Sequence, residues 1–272
     1  MVTLVLCAHL GLWGAIATVL FLGAPPRPMS TVGAILGLAV PALAITAALE
    51  GKAGVRDLLG RSLRWRVSWP WYLFAVLTVP LGSLLLAPLF AGPAVLEVLE
   101  ENWPLIFTVF LPQVLINLVT VQIFEELGWT GFAQHRVQRV HGALKTSLLL
   151  GVVFATVHFP MYLIGMPLTP QSVLAVVALQ VIVIPLALSI RVLLTWTYNR
   201  TGFSVLLAAI LHASFNAASD ADFLPELVPG PVAMMLPLAV VVVLAVTVMV
   251  HSKGRLGNHP ERQPAQSPSG PD

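Results

Sequence analysis

The chain has 272 residues, of which 57% are hydrophobic and 10% are charged, and its mean hydropathy is +0.89. Soluble domains are about 25% charged, so the composition excludes an ordinary soluble protein and indicates a polytopic membrane protein. The net charge of +2 comes with basic residues dispersed along the chain, which argues against a nucleic-acid partner.

Apolar segments of about 20 residues, the length that crosses a bilayer as a helix, recur along the chain. They predict an all-α bundle of about eight transmembrane helices, in which the seventh helix is short for a bilayer. No Lys or Arg precedes the first segment, so we interpret it as a retained helix rather than a signal peptide. The predicted spans are 4–22, 31–49, 71–91, 104–124, 146–164, 173–194, 203–217 and 230–250.

Basic residues concentrate in alternate connections between these spans. The positive-inside rule therefore predicts a multi-pass protein of the cell membrane with both termini in the cytoplasm. The other connections are acidic, with Arg27 as the nearby basic residue. The basic residues of the connections predicted to be cytoplasmic are Lys52, Arg56, Arg61, Arg64, Arg66, Arg136, Arg139, Lys145, Arg200, Lys253 and Arg255.

Four regions follow from this pattern. Residues 1–50 are predicted to form two N-terminal transmembrane helices, and residues 71–252 the transmembrane bundle that carries the catalytic site. Residues 51–70 form an amphipathic connection predicted to lie along the cytoplasmic headgroups. Its apolar side is predicted to hold Leu58, Leu59, Leu63 and Val67. Residues 253–272 are rich in Pro, Ser, Gly and Gln and are predicted to be a disordered cytoplasmic tail.

Two adjacent carboxylates, Glu125 and Glu126, follow the fourth apolar segment. A charge at bilayer depth costs roughly 2.5 to 3.5 kcal/mol, so this pair needs partners, protons or water. Adjacent helical residues point about 100° apart, which predicts different roles for the two. Their i+4 neighbours are Trp129 and Thr130. If either glutamate forms a purely structural ion pair, Arg191 is the best candidate partner.

Two further polar groups interrupt the later spans. Phe154 and His158 share one helical face at i and i+4, and so do His212 and Asn216. A histidine within a span is rare and often functional, although each pair alone is also compatible with helix packing. Two carboxylates, two histidines and an amide on three spans are harder to explain by packing.

This set of side chains suits peptide hydrolysis by an activated water. Glu125 or Glu126 would act as general base, His158 and His212 would hold the water or a divalent metal, and Asn216 would donate to the oxyanion. The sequence has no serine or cysteine in a recognisable nucleophile motif and no His-Glu-x-x-His helix. Water is therefore the simplest nucleophile, at a site that we expect to face the cytoplasm.

The ordered motifs Glu-Glu-x-x-Trp, Phe-x-x-x-His and His-x-x-x-Asn resemble the CPBP family of intramembrane proteases, also called the ABI or CAAX protease family. The likeness covers roughly residues 51–218. It implies a membrane endopeptidase similar to type II CAAX prenyl endopeptidases, which remove three residues after a prenylated cysteine. The resemblance places catalytic roles on Glu125, His158, His212 and Asn216, with Glu126 supporting them. It leaves open whether Glu125, His158 and His212 bind zinc or work without metal.

One position departs from the family pattern, in which the first motif commonly continues to an arginine where this chain has Thr130. A threonine cannot grip a carboxylate as a guanidinium does, so a strict preference for free C-terminal tripeptides is not expected. The expected partners are a membrane protein or lipidated peptide as substrate, and the bilayer. Two alternatives are a non-catalytic scaffold or bacteriocin self-immunity factor, which the resemblance also allows, and a proton-coupled transporter.

Overall fold

The computed structural model describes residues 1–220, 222–228, 230 and 232–257. Within these residues the chain is helical and contains no strand, so the predicted all-α bundle is confirmed. The helices are α1 (Val2–Leu22), α2 (Pro26–Ser62), α3 (Trp69–Ala91), α4 (Val95–Asn102), α5 (Ile106–His141), α6 (Ala143–Leu163), α7 (Pro170–Arg200), α8 (Val205–Ala218), α9 (Leu224–Leu227) and α10 (Val232–His251).

Seven helices among the described residues are long and apolar enough to cross a membrane, namely α1, α2, α3, α5, α6, α7 and α10. The remaining predicted span, the seventh, corresponds to α8, whose 14 residues extend about 21 Å at roughly 1.5 Å per residue. This is less than the roughly 30 Å of a bilayer core. The prediction of a short seventh span therefore agrees with the structure.

The short helix α8 lies inside the bundle, where it packs against α3, α5 and α7. Most of its side chains are buried, because it is apolar on nearly all sides. The hydroxyl of Ser204 accepts a hydrogen bond from the Leu207 amide (3.2 Å) and donates one to the Arg64 carbonyl (2.7 Å). This cap fixes where α8 begins, and therefore the depth at which its polar residues lie.

Helix α5 is irregular on both sides of the paired glutamates. One α-helical turn, Ile123–Glu126, lies between two π-helical segments, Leu118–Gln122 and Leu127–Gln134. Wide π turns often occur at functional sites because they re-aim side chains. A Cβ atom on Gly128 would lie 2.9 Å from the Cβ of Leu38, so a glycine is required where α5 approaches α2. These features set the direction of both carboxylates.

The predicted amphipathic connection is attached to the bundle. Helix α2 breaks at Gly51 (φ 61°) and continues to Ser62. The buried guanidinium of Arg61 donates to the Gly131 carbonyl and the Tyr198 hydroxyl, at 2.8 Å each. A side chain predicted to lie in a surface connection therefore links α2, α5 and α7.

The prediction that four residues form one apolar face of this connection is wrong. Leu58 is fully buried against the bundle, whereas Leu59 and Leu63 are 38% and 69% exposed. Val67 lies beyond the end of α2 and packs against a different part of the core. The helix stops earlier than the apolar spacing suggested, so the four residues do not share one face.

The first residues of the predicted disordered tail are in contact with the helical bundle. Residues 253–257 form turns, and Leu256 is buried while its carbonyl accepts a hydrogen bond from Asn199 (3.0 Å). The rest of the predicted tail, residues 258–272, lies outside the described part of the chain.

Candidate active site

A cavity of about 660 Å³ extends into the bundle and reaches the polar residues singled out in the sequence. Its walls come mostly from apolar side chains of α1, α2, α5, α6, α7, α8 and α10. Five of the predicted site residues line it: Glu125, Phe154, His158, His212 and Asn216. The structure therefore brings all three sequence motifs to one site.

Glu125 lies between the two histidines. Its carboxylate oxygen Oε1 is 3.9 Å from His158 Nε2, and Oε2 is 3.9 Å from His212 Nδ1. Both distances exceed a direct hydrogen bond, and the gap between Glu125 and His158 Nε2 is one that a single water molecule bridges. The residue is only 4% exposed, so a water held here would be largely shielded from bulk solvent.

The orientation of His158 is fixed by its own helix. Its Nδ1 atom donates to the Phe154 carbonyl (2.7 Å), and its ring packs against the Phe154 ring at a centroid distance of 4.2 Å. A carbonyl can only accept, so Nδ1 carries the proton, and in the neutral ring Nε2 is left as an acceptor. That acceptor faces the carboxylate of Glu125.

Glu126 points away from the cavity and is fully buried. It accepts a hydrogen bond from His212 Nδ1 (3.0 Å) and contacts Arg191 Nη1 through both carboxylate oxygens, at 2.9 and 2.8 Å. The Thr130 hydroxyl also donates to it. The adjacent glutamates therefore have different surroundings, one at the cavity and one in an ion-pair network that orients His212.

Arg191 supplies a guanidinium beside the position where the family pattern has arginine and this chain has Thr130. Its Nη2 atom donates to the Thr130 hydroxyl (2.9 Å), which in turn donates to Glu126. The charge therefore comes from α7 rather than from α5. Arg136, the next arginine after Thr130 along α5, pairs with Glu50 at 2.6 Å instead.

Trp129, like Glu126 and Thr130, is a predicted site residue that does not line the cavity. It is fully buried and packs edge-on against Phe154, with ring centroids 6.3 Å apart. Among the described residues its indole Nε1 has no hydrogen-bond partner. Its position indicates a packing role that supports the ring beneath His158.

Sequence reasoning missed Gln122. This residue is 3% exposed and lines the cavity, and its Oε1 atom has no hydrogen-bond partner among the described residues. It lies three positions before Glu125, and residues three apart on a helix are neighbours. This helical spacing from Glu125 is the sequence feature that could have identified Gln122 as a site residue.

A zinc site would need donor atoms about 2.0–2.2 Å from a single ion. In the part of the chain that the structure describes, no group of three His, Cys, Asp or Glu side chains is arranged to hold a metal ion. His212 directs Nδ1 to Glu126 rather than to a shared position with His158 and Glu125. The zinc site on Glu125, His158 and His212 therefore stays a prediction.

Buried carboxylates and histidines in a helical membrane bundle define a class of intramembrane site, and comparison with known proteins shows what the segment that carries them is similar to. Residues 107–218 match the family model of Rce1-like type II CAAX prenyl endopeptidases. The resemblance to the CPBP family is therefore confirmed for this segment, which carries Glu125 to Asn216.

A curated relative agrees with the family match. CAAX prenyl protease 2 of Methanococcus maripaludis is 29% identical over 113 residues. The match covers 40% of this chain and only 40% of the relative's length. The chain therefore matches less than half of the relative's length, and the likeness is confined to part of each protein.

Proposed function

We propose that the protein is an intramembrane endopeptidase that hydrolyses peptide bonds of membrane-associated proteins, including CAAX-type prenylated ones. The observation that carries this proposal is the position of the Glu125 carboxylate, 3.9 Å from both His158 Nε2 and His212 Nδ1 at the wall of a cavity. The match to type II CAAX prenyl endopeptidases over residues 107–218 supports the same reaction class.

In the proposed reaction, Glu125 removes a proton from a water held between its carboxylate and His158. The water oxygen forms a bond with the scissile carbonyl carbon, and the carbonyl oxygen becomes an oxyanion. Glu125 then returns the proton to the amide nitrogen as the carbon–nitrogen bond breaks. The products are a carboxylic acid and an amine, so the consumed water accounts for all atoms.

The Asn216 side chain is well suited to stabilise the oxyanion. It lines the cavity one helical turn after His212 and makes none of the hydrogen bonds found among the described residues. An unengaged amide N–H that is already positioned stabilises developing charge at little reorganisation cost. His212 itself is held by the hydrogen bond to Glu126.

The cavity also favours a membrane-associated substrate. Its walls are mainly apolar, and the polar groups converge at one place around Glu125. Such a site binds an apolar segment or lipid chain by burial and selects the peptide bond by the few polar groups. A prenylated peptide and a transmembrane segment both meet this requirement.

The test is cleavage of fluorogenic membrane peptides, with and without a prenyl group, by the purified protein in proteoliposomes. Glu125→Gln keeps the shape of the side chain but removes its basicity, so turnover should fall at least about 100-fold, within the usual range for general-base catalysis. Glu50→Gln is the matched control, because Glu50 pairs with Arg136 away from the cavity. Full turnover by Glu125→Gln would contradict the proposal.

The same assay tests whether cleavage requires a metal ion. Loss of cleavage after treatment with a chelator, reversed by added zinc, would support a metal on Glu125, His158 and His212. Cleavage that survives the chelator would support water activation by the glutamate and histidines alone. Binding of the peptides without cleavage would instead favour the non-catalytic alternative.

A further inference from the structure

A second cavity lies at the end of the bundle where α7 and α10 end. Its volume is about 700 Å³, and its walls come from α3, α7, α10 and the turns that follow α10. None of the residues that line it also lines the candidate active site. The second cavity is therefore a separate feature of the molecule, to which the proposed reaction assigns no role.

The walls of the second cavity change from apolar to basic along two helices. On each helix the lining residues lie three or four positions apart, so they share one face, which extends about 10 Å at roughly 1.5 Å per residue. Each face runs from a leucine to a basic or titratable residue at the end of its helix. The residues are Leu193, Trp196 and Arg200 on α7, and Leu244, Val248 and His251 on α10.

An aromatic pair separates the apolar part of the second cavity from the basic part. Trp196 and Phe74 both line the cavity and pack edge-on, with ring centroids 5.3 Å apart. Tryptophan is enriched where the acyl chains of a bilayer meet the headgroups. Trp196 lies three residues after Leu193 and four before Arg200, so the basic part is at the depth expected for lipid headgroups.

Three cations surround the basic part, namely Arg200, Lys253 and Arg255. Within the described residues, no carboxylate forms an ion pair with any of them. Arg136 and Arg191, by contrast, are each paired with a glutamate. The charge and position of the three side chains therefore suit an anionic group that comes from outside the bundle.

The turn after α10 is held firmly at the edge of the second cavity. Lys253 and Leu256 have φ angles of 50° and 46°, which residues other than glycine rarely adopt. The Leu256 side chain is buried, and its carbonyl accepts a hydrogen bond from Asn199 (3.0 Å). A Cβ atom on Gly257 would lie 2.7 Å from Arg200 Cδ, so the turn approaches α7 closely. Such strain persists only where surrounding contacts maintain it, and it is common at ligand sites.

We propose that the second cavity binds one anionic phospholipid. The phosphate lies against Arg200, Lys253 and Arg255, and the upper part of an acyl chain lies along the apolar residues toward Leu193 and Leu244. Basic pockets between transmembrane helices bind acidic headgroups in this way. The bound lipid joins the ends of α3, α7 and α10, and its binding does not depend on the proposed peptidase function.

The shape of the second cavity favours a phospholipid over other anions. A free phosphate ion contacts the basic part alone and leaves the apolar part unfilled. A zwitterionic lipid brings an ammonium group close to three cations, and like charges repel there. An anionic phospholipid fills both parts without that repulsion. The end of the bundle is also the one whose basic connections are predicted to be cytoplasmic, and anionic lipids of the cytoplasmic leaflet attract such segments.

Native mass spectrometry of the full chain in dodecyl maltoside tests the proposal. The protein is titrated with phosphatidylglycerol, with phosphatidylcholine that has the same acyl chains, and with soluble glycerol phosphate. We expect one phosphatidylglycerol to bind per chain with a clear preference over the other two compounds. Equal affinity for phosphatidylcholine would overturn the anionic headgroup, and equal affinity for glycerol phosphate would overturn the acyl-chain site.

Charge variants test the three cations. Each basic residue near an anionic lipid contributes about a fivefold change in affinity, so removing all three should weaken phosphatidylglycerol binding roughly 100-fold. The control removes three exposed basic residues that do not line the second cavity and should leave binding unchanged. Equal loss in both variants would show general surface attraction and overturn the site. The variants are Arg200→Gln/Lys253→Gln/Arg255→Gln and, as control, Lys52→Gln/Arg56→Gln/Lys145→Gln.

Folding of each charge variant is checked by size-exclusion chromatography. If the first triple variant does not fold, Lys253→Gln/Arg255→Gln replaces it, because that variant keeps Arg200 in contact with Gly257. The expected loss of affinity is then about 25-fold. Unchanged binding in the double variant would overturn the proposal.

A steric variant tests whether the lipid enters the second cavity. Thr247 is exposed and lines the cavity, so Thr247→Trp fills the space and leaves the three cations in place. Val246→Trp is the matched control, at an exposed neighbouring position that does not line the cavity. We expect only Thr247→Trp to weaken phosphatidylglycerol binding, and equal binding by the two variants would overturn the cavity as the site. Glu125→Gln should bind the lipid normally, whatever its effect on cleavage.

Discussion

Arg191 and Glu126 form a fully enclosed ion pair between α7 and α5. Nη1 of the arginine lies 2.9 and 2.8 Å from the two carboxylate oxygens, and neither side chain is exposed to solvent. The same carboxylate holds His212 at 3.0 Å. The pair therefore connects the packing of two long helices to the orientation of a histidine in the candidate active site.

Loss of Arg191 should destabilise the protein strongly. Arg191→Met leaves the Glu126 charge buried without its cation, and breaking such a pair costs about 3–5 kcal/mol. The double variant Arg191→Met/Glu126→Gln removes both charges and should recover a large part of that loss. Thermal unfolding in detergent measures the effect, and equal stability of the single and double variants would contradict it.

We expect that the guanidinium beside Glu126 can be moved from position 191 on α7 to position 130 on α5. Thr130→Arg alone places a second cation beside Glu126 in a fully buried site, and like charges there repel each other, so folded protein should be lost. Thr130→Arg/Arg191→Thr restores one guanidinium and one hydroxyl around the same carboxylate. We expect the double variant to give more folded protein than Thr130→Arg, as measured by size-exclusion chromatography. No recovery would show that the two positions are not equivalent.

Asn216→Ala should reduce kcat with little change in KM. If the amide donates to the oxyanion and not to the bound substrate, its loss costs about 100- to 1,000-fold in rate. Asn117→Ala is the control, because Asn117 also lines the cavity but lies on α5, eight residues before Glu125. The outcome that contradicts the assigned role is an increase in KM with kcat unchanged.

Gln122→Leu should raise KM. The buried, unpartnered Oε1 atom of Gln122 in the cavity wall is available to accept a hydrogen bond from a substrate amide, worth about 1 kcal/mol, or roughly a fivefold change. Gln113→Leu is a close control, because Gln113 also has an unpartnered Oε1 but does not line the cavity. Steady-state kinetics give KM for the two variants. Equal changes in KM would show that Gln122 does not bind the substrate.

Much of the fold was predictable, because the length and polarity of apolar segments decide which residues form membrane helices. The sequence also indicated that Glu125, His158, His212 and Asn216 meet, and that Arg191 is the natural partner of a buried glutamate. Each of these residue types is costly inside a membrane, so each needs a partner or a function there.

Other features depend on packing between helices, which apolar periodicity does not specify. From the sequence, Thr130 stands where the family pattern has an arginine, which suggested that the site lacks this guanidinium. In the structure, Arg191 of α7 lies beside Thr130. Leu63 looked like part of an apolar helical face, but the helix ends at Ser62.

Single-turnover hydrolysis in water labelled with heavy oxygen tests the central claim, that Glu125 activates water rather than attacking the substrate itself. The account predicts one heavy oxygen in the new carboxyl terminus of the first product, and none in the Glu125 side chain when the protein is analysed by mass spectrometry. Heavy oxygen in the Glu125 carboxylate, or an unlabelled first product, would contradict it.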